Sequence, residues 1–166
     1  GKAVAHAGLG ITFIAVSLIQ AWQVEDVRVA QIDEPFRVGA YDLVLRSVER
    51  VDGPNYLSQM GVIEASRDGR AVATLTPEKR VYPVQAMPTT EASIDYGFWR
   101  DLYVVLGDEQ PAGGWAVRTY VKPFANWIWG GSIIMALGGL ISLSDRRYRV
   151  AAGAARRSDT GTVPAE

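Results

Sequence analysis

His6 is the single histidine among 166 residues, and it stands inside an apolar run. An ionisable side chain among residues that suit hydrocarbon is a candidate functional group, because a polar atom there needs a partner. Two chemistries are open to it: a neutral ring hydrogen-bonded to a neighbouring helix, or ligation of a metal or haem iron through a ring nitrogen. Helical periodicity from His6 reaches Gly10, Phe13 and Ser17, with Ala3 and Gln20 close to the same stripe, so this side of the helix is small and partly polar. It is expected to look into a helix bundle. A glycine one turn from the imidazole leaves space for a flat group to lie against the helix.

Lys79, Arg80, Arg100, Arg118 and Lys122 form a second set of candidates, cations that suit an anionic partner such as haem propionates or an acidic protein surface. Acids interleave with them: Glu78 adjoins Lys79, and Asp101 adjoins Arg100. A solvated face with internal ion pairs is the plainer expectation. Several chemistries are excluded within these residues. There is no cysteine, so there are no disulfides, thiolate metal sites or thiol nucleophiles. The one histidine lies in an apolar run, away from any serine–carboxylate pair that would complete a catalytic triad. No glycine-rich phosphate loop opens a helix, and no basic stripe would track a nucleic acid, so no nucleic-acid partner is expected.

The elements that must position these residues follow from hydropathy. Residues 3–22 hold no Asp, Glu, Lys or Arg. At about 1.5 Å per helical residue such a run matches the roughly 30 Å hydrocarbon core of a bilayer. Residues 125–143 repeat the pattern. A cleaved signal peptide would have a shorter apolar region and an A-x-A-like site before Gln23, which is lacking. Ser132 with Ala136, and Gly138 with Ser142, are spaced to let another helix come close. Arginines crowd behind the second run at Arg146, Arg147, Arg149, Arg156 and Arg157, whereas residues 23–124 carry 11 Lys and Arg against 15 Asp and Glu. Basic residues beside a span hold a loop in the cytoplasm. Both ends are therefore expected inside and the middle outside, with Trp22, Trp127 and Trp129 at the outer edge. The expected organisation is a transmembrane helix over residues 1–22, a periplasmic β-domain over 23–124, a transmembrane helix over 125–143 and a basic, largely disordered tail over 144–166. The chain opens at Gly1 with no initiating Met and an apolar run under way, as the end of a longer protein would.

Within the middle segment, alternating polarity predicts strands at 27–31, 41–51, 62–66, 71–76, 81–85, 94–98, 102–106 and 115–121. Asp52-Gly53-Pro54-Asn55 marks a turn, and Asp68-Gly69 is a strong hairpin signal. Residues 107–114 are expected to be a connecting loop. Seven or eight short strands without an amphipathic helix imply an all-β domain, a small antiparallel barrel or sandwich.

Several stretches resemble the C-terminal part of the CcmF-type haem lyase subunit of the bacterial cytochrome c maturation system. They are Gly53-Pro54-Asn55-Tyr56, Pro77-Glu78-Lys79-Arg80 with Tyr82, Met87-Pro88-Thr89-Thr90-Glu91-Ala92 and Arg100-Asp101-Leu102-Tyr103-Val104. The series continues through Lys122-Pro123-Phe124, Trp127-Ile128-Trp129 and Met135-Ala136-Leu137-Gly138-Gly139, to Ser144-Asp145-Arg146-Arg147-Tyr148-Arg149. The resemblance implies a multi-span protein of the bacterial inner membrane, with residues 23–124 in the periplasm and the C-terminus in the cytoplasm. Such a protein takes haem from a periplasmic haem chaperone and helps attach it to apocytochrome c, beside other maturation subunits and membrane lipid. It also implies that His6, in the stretch His6, Gly8 and Gly10, is one axial ligand of a membrane-embedded haem b whose second histidine lies outside these residues. The family's tryptophan-rich periplasmic segment is absent, so these residues alone are not expected to be an active haem lyase. A paralogue serving nitrite reductase would look much the same. The alternative from another class is a non-catalytic, membrane-anchored docking or assembly module.

Overall fold

The computed structural model describes residues 1–84 and 87–144. Of the tail expected over 144–166, Ser144 closes the second helix and the residues from 145 onward lie outside the described residues, as does Gln85 at the end of one expected strand. The chain forms two compact units: residues 1–16 with the described residues from Trp127 onward, and Ser17–Asn126.

The first unit is built from α1 (Lys2–Trp22) and α2 (Ala125–Ser144), both long and apolar enough to cross a membrane. They run antiparallel: Gly1 lies against Ser142, Gly138 against Ala5, and Gly8 against Gly131 and Met135. The contact is backbone to backbone, since a Cβ on Gly8 would stand 2.5 Å from the Gly131 carbonyl oxygen. Thr12 covers the next turn, with Oγ1 3.2 Å from the Gly8 carbonyl and 3.4 Å from that of Ile128. Small residues therefore make this interface and let the two backbones approach closely. Gly138 and Ser142 do meet the other helix as their spacing suggests. Gly131 and Met135, one position before Ser132 and Ala136, supply the rest; Ser132 instead donates to the Ile128 carbonyl at 2.8 Å.

The second unit is a two-layer antiparallel sandwich, which decides between the two all-β architectures expected. One sheet has the order β1 (Val24–Ala30), β10 (Trp115–Pro123), β9 (Arg100–Glu109), β8 (Ser93–Asp95). The other runs β2 (Pro35–Val38), β3 (Tyr41–Asp52), β4 (Leu57–Arg67), β6 (Glu78–Tyr82), β7 (Met87–Glu91). There β5 (Arg70–Leu75) pairs with the second half of β4. Alternation sets the faces: Tyr41, Leu43 and Leu45 point inward from β3, and Leu102, Val104 and Leu106 inward from β9. They meet Ile63, Leu75, Trp115 and Val117 in one core. Gly61 is enclosed there because a Cβ would already touch Leu106 at 3.4 Å.

Among the described residues, ten strands replace the seven or eight expected. The Asp68-Gly69 turn forms, with both residues at positive φ (51° and 73°), the conformation that a two-residue hairpin matched to strand twist demands. Four expectations are corrected. The strand at 62–66 begins five residues earlier, at Leu57, because β4 pairs along β3 as far as Asp52. The strand at 81–85 is displaced toward the chain start, to Glu78–Tyr82, where β4 offers partners. The strand at 94–98 stops at Asp95 and gives way to a loop. Residues 107–109, expected to open a loop, continue β9 and stay paired to β10 through Glu109 and Trp115.

Candidate functional site

His6 is exposed on α1, roughly a third of a turn round the helix from the Ala5–Gly8–Thr12 stripe that meets α2. Its Nδ1 lies 2.8 Å from the Lys2 carbonyl oxygen. A carbonyl only accepts, so Nδ1 carries the proton in this contact, and Nε2 is the ring nitrogen left to ligate. Metal-bound histidines use that arrangement: one nitrogen donates to a fixed acceptor and the other ligates. One turn along, Gly10 has no atom of the described residues within 4 Å of the place a Cβ would occupy, and Phe13 on the same side is exposed. The residues present thus fit a flat iron-bearing ring against α1: a nitrogen donor, an oriented tautomer and open space beside it.

The five cations of the sandwich resolve one by one. Lys79 pairs with Asp108 across the two sheets, and not with adjacent Glu78. Glu78 accepts from Arg80 Nε at 2.9 Å and from Ser58 Oγ at 2.9 Å. The Arg80 hydrogen bond holds the Glu78 carboxyl below the usual range, burial opposes it, and the Ser58 hydroxyl assists. Arg80 also lies over the Tyr56 ring at 4.5 Å, and Tyr56 closes on Gly53, whose backbone N–H donates to the Tyr56 carbonyl at 2.8 Å. Two of the stretches that carry the family resemblance, residues 53–56 and 77–80, are thereby joined in one structural cluster. Arg100 donates to Tyr41 Oη at 2.6 Å and to Asp95 Oδ2 at 2.5 Å. Burial works against its charge, but the Asp95 and Tyr41 hydrogen bonds outweigh that and raise its pKa.

Arg118 and Lys122 remain at the surface. With Tyr103, Val105, Tyr120 and Val27 they line an open groove of about 540 Å³ on the outer face of the β1–β10–β9 sheet. The Tyr103 and Tyr120 rings meet edge to face at 6.0 Å, and Lys122 Nζ sits 5.0 and 5.1 Å from their centroids. Arg118 is 3.7 Å from Glu25, so Lys122 is the one cation of the five without a carboxylate partner among the described residues. Period-two alternation from Leu102 assigns Tyr103 and Val105 to the outer face, a signal legible in the sequence; the pairing with Tyr120 depends on register and is not.

Comparison with known proteins gives the lineage. Residues 21–123 match the family described as CcmF C-terminal beta-sandwich. The whole chain is 61% identical to the cytochrome c-type biogenesis protein ccl1 of Rhodobacter capsulatus, of which it covers 25%. Over 151 residues, 90% of the chain, it is 46% identical to the cytochrome c-type biogenesis protein CcmF of Pseudomonas aeruginosa, of which it covers 23%. The fold is that of a solved cytochrome c heme lyase CcmF, with a TM-score of 0.70 and 21% identity over 87% of this chain and 24% of that one. The chain spans about a quarter of the length of these relatives, and it belongs to the CcmF C-terminal beta-sandwich family.

Proposed function

We propose that this chain is the C-terminal portion of a cytochrome c haem lyase subunit, in which His6 is one axial ligand of a haem b held between membrane helices. The observation that carries the reading is the His6 tautomer: Nδ1 is engaged by the Lys2 carbonyl at 2.8 Å, leaving Nε2 outward on a side of α1 that α2 does not use. The second axial histidine comes from outside these residues. Bound there, the haem supplies an iron centre whose potential the two imidazoles and their surroundings tune. His6 and the open side of Gly10 hold and orient it. The helices α1 and α2 cross the bacterial inner membrane, and the arginines that follow α2 in sequence keep both ends in the cytoplasm. The sandwich then lies in the periplasm, where it positions a haem chaperone, apocytochrome c and the other maturation subunits.

The test is the optical spectrum of the purified full-length protein. His6→Ala should remove most of the b-type haem absorbance while leaving the protein in the membrane, and added imidazole should restore part of it. An unchanged spectrum would take His6 out of the site. The groove bearing Tyr103, Tyr120 and Lys122 favours a second reading, a docking module in which His6 merely packs. In that case haem content survives His6→Ala, and co-purification of partners falls when the groove or the 107–114 segment is disrupted.

A further inference from the structure

Where sequence periodicity predicts a strand through Phe98, the chain instead turns out of the sheet after Asp95. Residues 96–99 place Tyr96, Phe98 and Trp99 at 68%, 66% and 62% exposure. Three large aromatic rings turned outward from four consecutive residues are costly in water. This loop is fastened to the beginning of α2. Phe124 donates its backbone N–H to the Trp99 carbonyl at 2.8 Å, and Asn126 Nδ2 donates to the Gly97 carbonyl at 2.9 Å. The same Asn126 nitrogen donates to Asp101 Oδ1 at 3.0 Å, which also accepts from the Gly97 N–H at 3.1 Å. Phe124 adopts a left-handed φ of 56° at this joint, and its ring stands edge-on to Trp99 at 5.9 Å.

Charge around the loop is cancelled from within. Asp95 and Arg100, which flank it, pair with each other at 2.5 Å, and Asp101, 7% exposed, is capped by an amide and a backbone N–H. The tip itself carries no formal charge. A rigid, uncharged, aromatic tip suits the boundary between hydrocarbon and headgroups, where Trp and Tyr concentrate. It does not suit a water-filled groove.

We propose that residues 96–99 are an interfacial loop that seats Tyr96, Phe98 and Trp99 in the headgroup layer of the outer leaflet, beside the point where α2 enters. The Asn126 and Asp101 hydrogen bonds hold the loop beside the first residues of α2. That seating rests on the reading that α2 spans the membrane, and the experiment separates the two. Phe98→p-benzoylphenylalanine, and separately Tyr96→p-benzoylphenylalanine, are made in the full-length protein and irradiated in native membranes. Val84→p-benzoylphenylalanine serves as the aqueous control. Val84 is 96% exposed and follows β6, whose Val81 pairs with Leu57 at the opposite end of the sandwich from Arg100.

The expected result is a phospholipid adduct on the peptide bearing residue 96 or 98, at least tenfold above that at Val84, in protein that resists alkaline carbonate extraction. Carbonate-resistant protein with adducts at both positions to another polypeptide segment, or with no lipid adduct, overturns the loop proposal and leaves the spans standing. Release of the protein by carbonate overturns both.

Discussion

The helix pair and the sandwich solve the same packing problem with opposite materials. In the helix pair the buried positions are Gly8, Ala15, Gly131 and Gly138, while the large side chains point away: Phe13 is 65% exposed, Ile133 61% and Leu143 75%. In the sandwich the order is reversed, and Leu43, Leu45, Ile63, Leu102 and Leu106 are sealed at 0–1% exposure beneath charged strand faces. On the reading that α1 and α2 span a membrane, the difference follows from solvent. A sandwich in water gains by hiding apolar area. Helices whose exterior is already apolar gain nothing that way, and associate through close backbone approach.

If that contrast holds, adding volume should break the helix pair where removing volume breaks the sandwich. Gly138→Leu has the largest expected effect. A Cβ at Gly138 would stand 2.7 Å from the Ala5 Cα, backbone that cannot swing aside. At Gly139, one residue on, an added Cβ meets nothing within 4 Å among the described residues. In the full-length protein, thiol crosslinking between Lys2→Cys and Ser142→Cys by a short bifunctional reagent should drop more than tenfold with Gly138→Leu and stay level with Gly139→Leu. Equal losses from both would mean that overall bulk, and not backbone proximity, governs this pair.

On the other side of the comparison, Leu43→Ala should cost the sandwich about 2–5 kcal/mol, the usual range for a leucine deleted from a close-packed core. Leu43 is fully buried and pairs with Phe36 on β2 and Ala65 on β4. Denaturant titration followed by far-ultraviolet circular dichroism would show the transition moving to lower denaturant. A midpoint unchanged within error would mean the two sheets are not held by this core.

The same contrast explains how much the sequence disclosed. Apolar runs without charge announced both helices, and strict alternation at Tyr41-Asp42-Leu43-Val44-Leu45 announced a half-buried strand, because each solvent imposes its own period. What alternation could not reveal were strands whose partners decide their limits. Pro88 argues against a strand from local preference, yet β7 is the outermost strand of its sheet, where a missing N–H costs no ladder bond. Pro35-Phe36-Arg37-Val38 was too short and too mixed to register, though it pairs fully with β3. Conversely residues 94–98 alternate well but are drawn out of the sheet at Gly97, where a Cβ would lie 2.6 Å from the Arg100 carbonyl. His6 was conspicuous as a lone titratable group in an apolar run. Which side of α1 would meet α2 was not legible, since Ala3, Ala5, Ala7, Gly8 and Gly10 offer small residues on several sides.

The smallest expected effect tests the polar face of the sandwich. Glu78 accepts hydrogen bonds from Arg80 and Ser58, so its folded-state carboxyl titrates below its ordinary value, Arg80 being the main cause. The unfolded chain therefore takes up the proton first as the pH falls. The stabilisation is complete above the unfolded value, about 4.3, and drains away as the pH drops through the lower folded one. A pair of this kind, still reached by solvent, is worth about 1 kcal/mol or less. Glu78→Gln should thus lower the denaturation midpoint at pH 7 by a small amount, and the gap to the parent should narrow as the pH falls below the unfolded value and through the lowered folded one. A gap that persists undiminished in acid would show that Glu78 acts through the shape of the Ser58–Arg80–Tyr56 cluster, which the amide disturbs, and not through its charge.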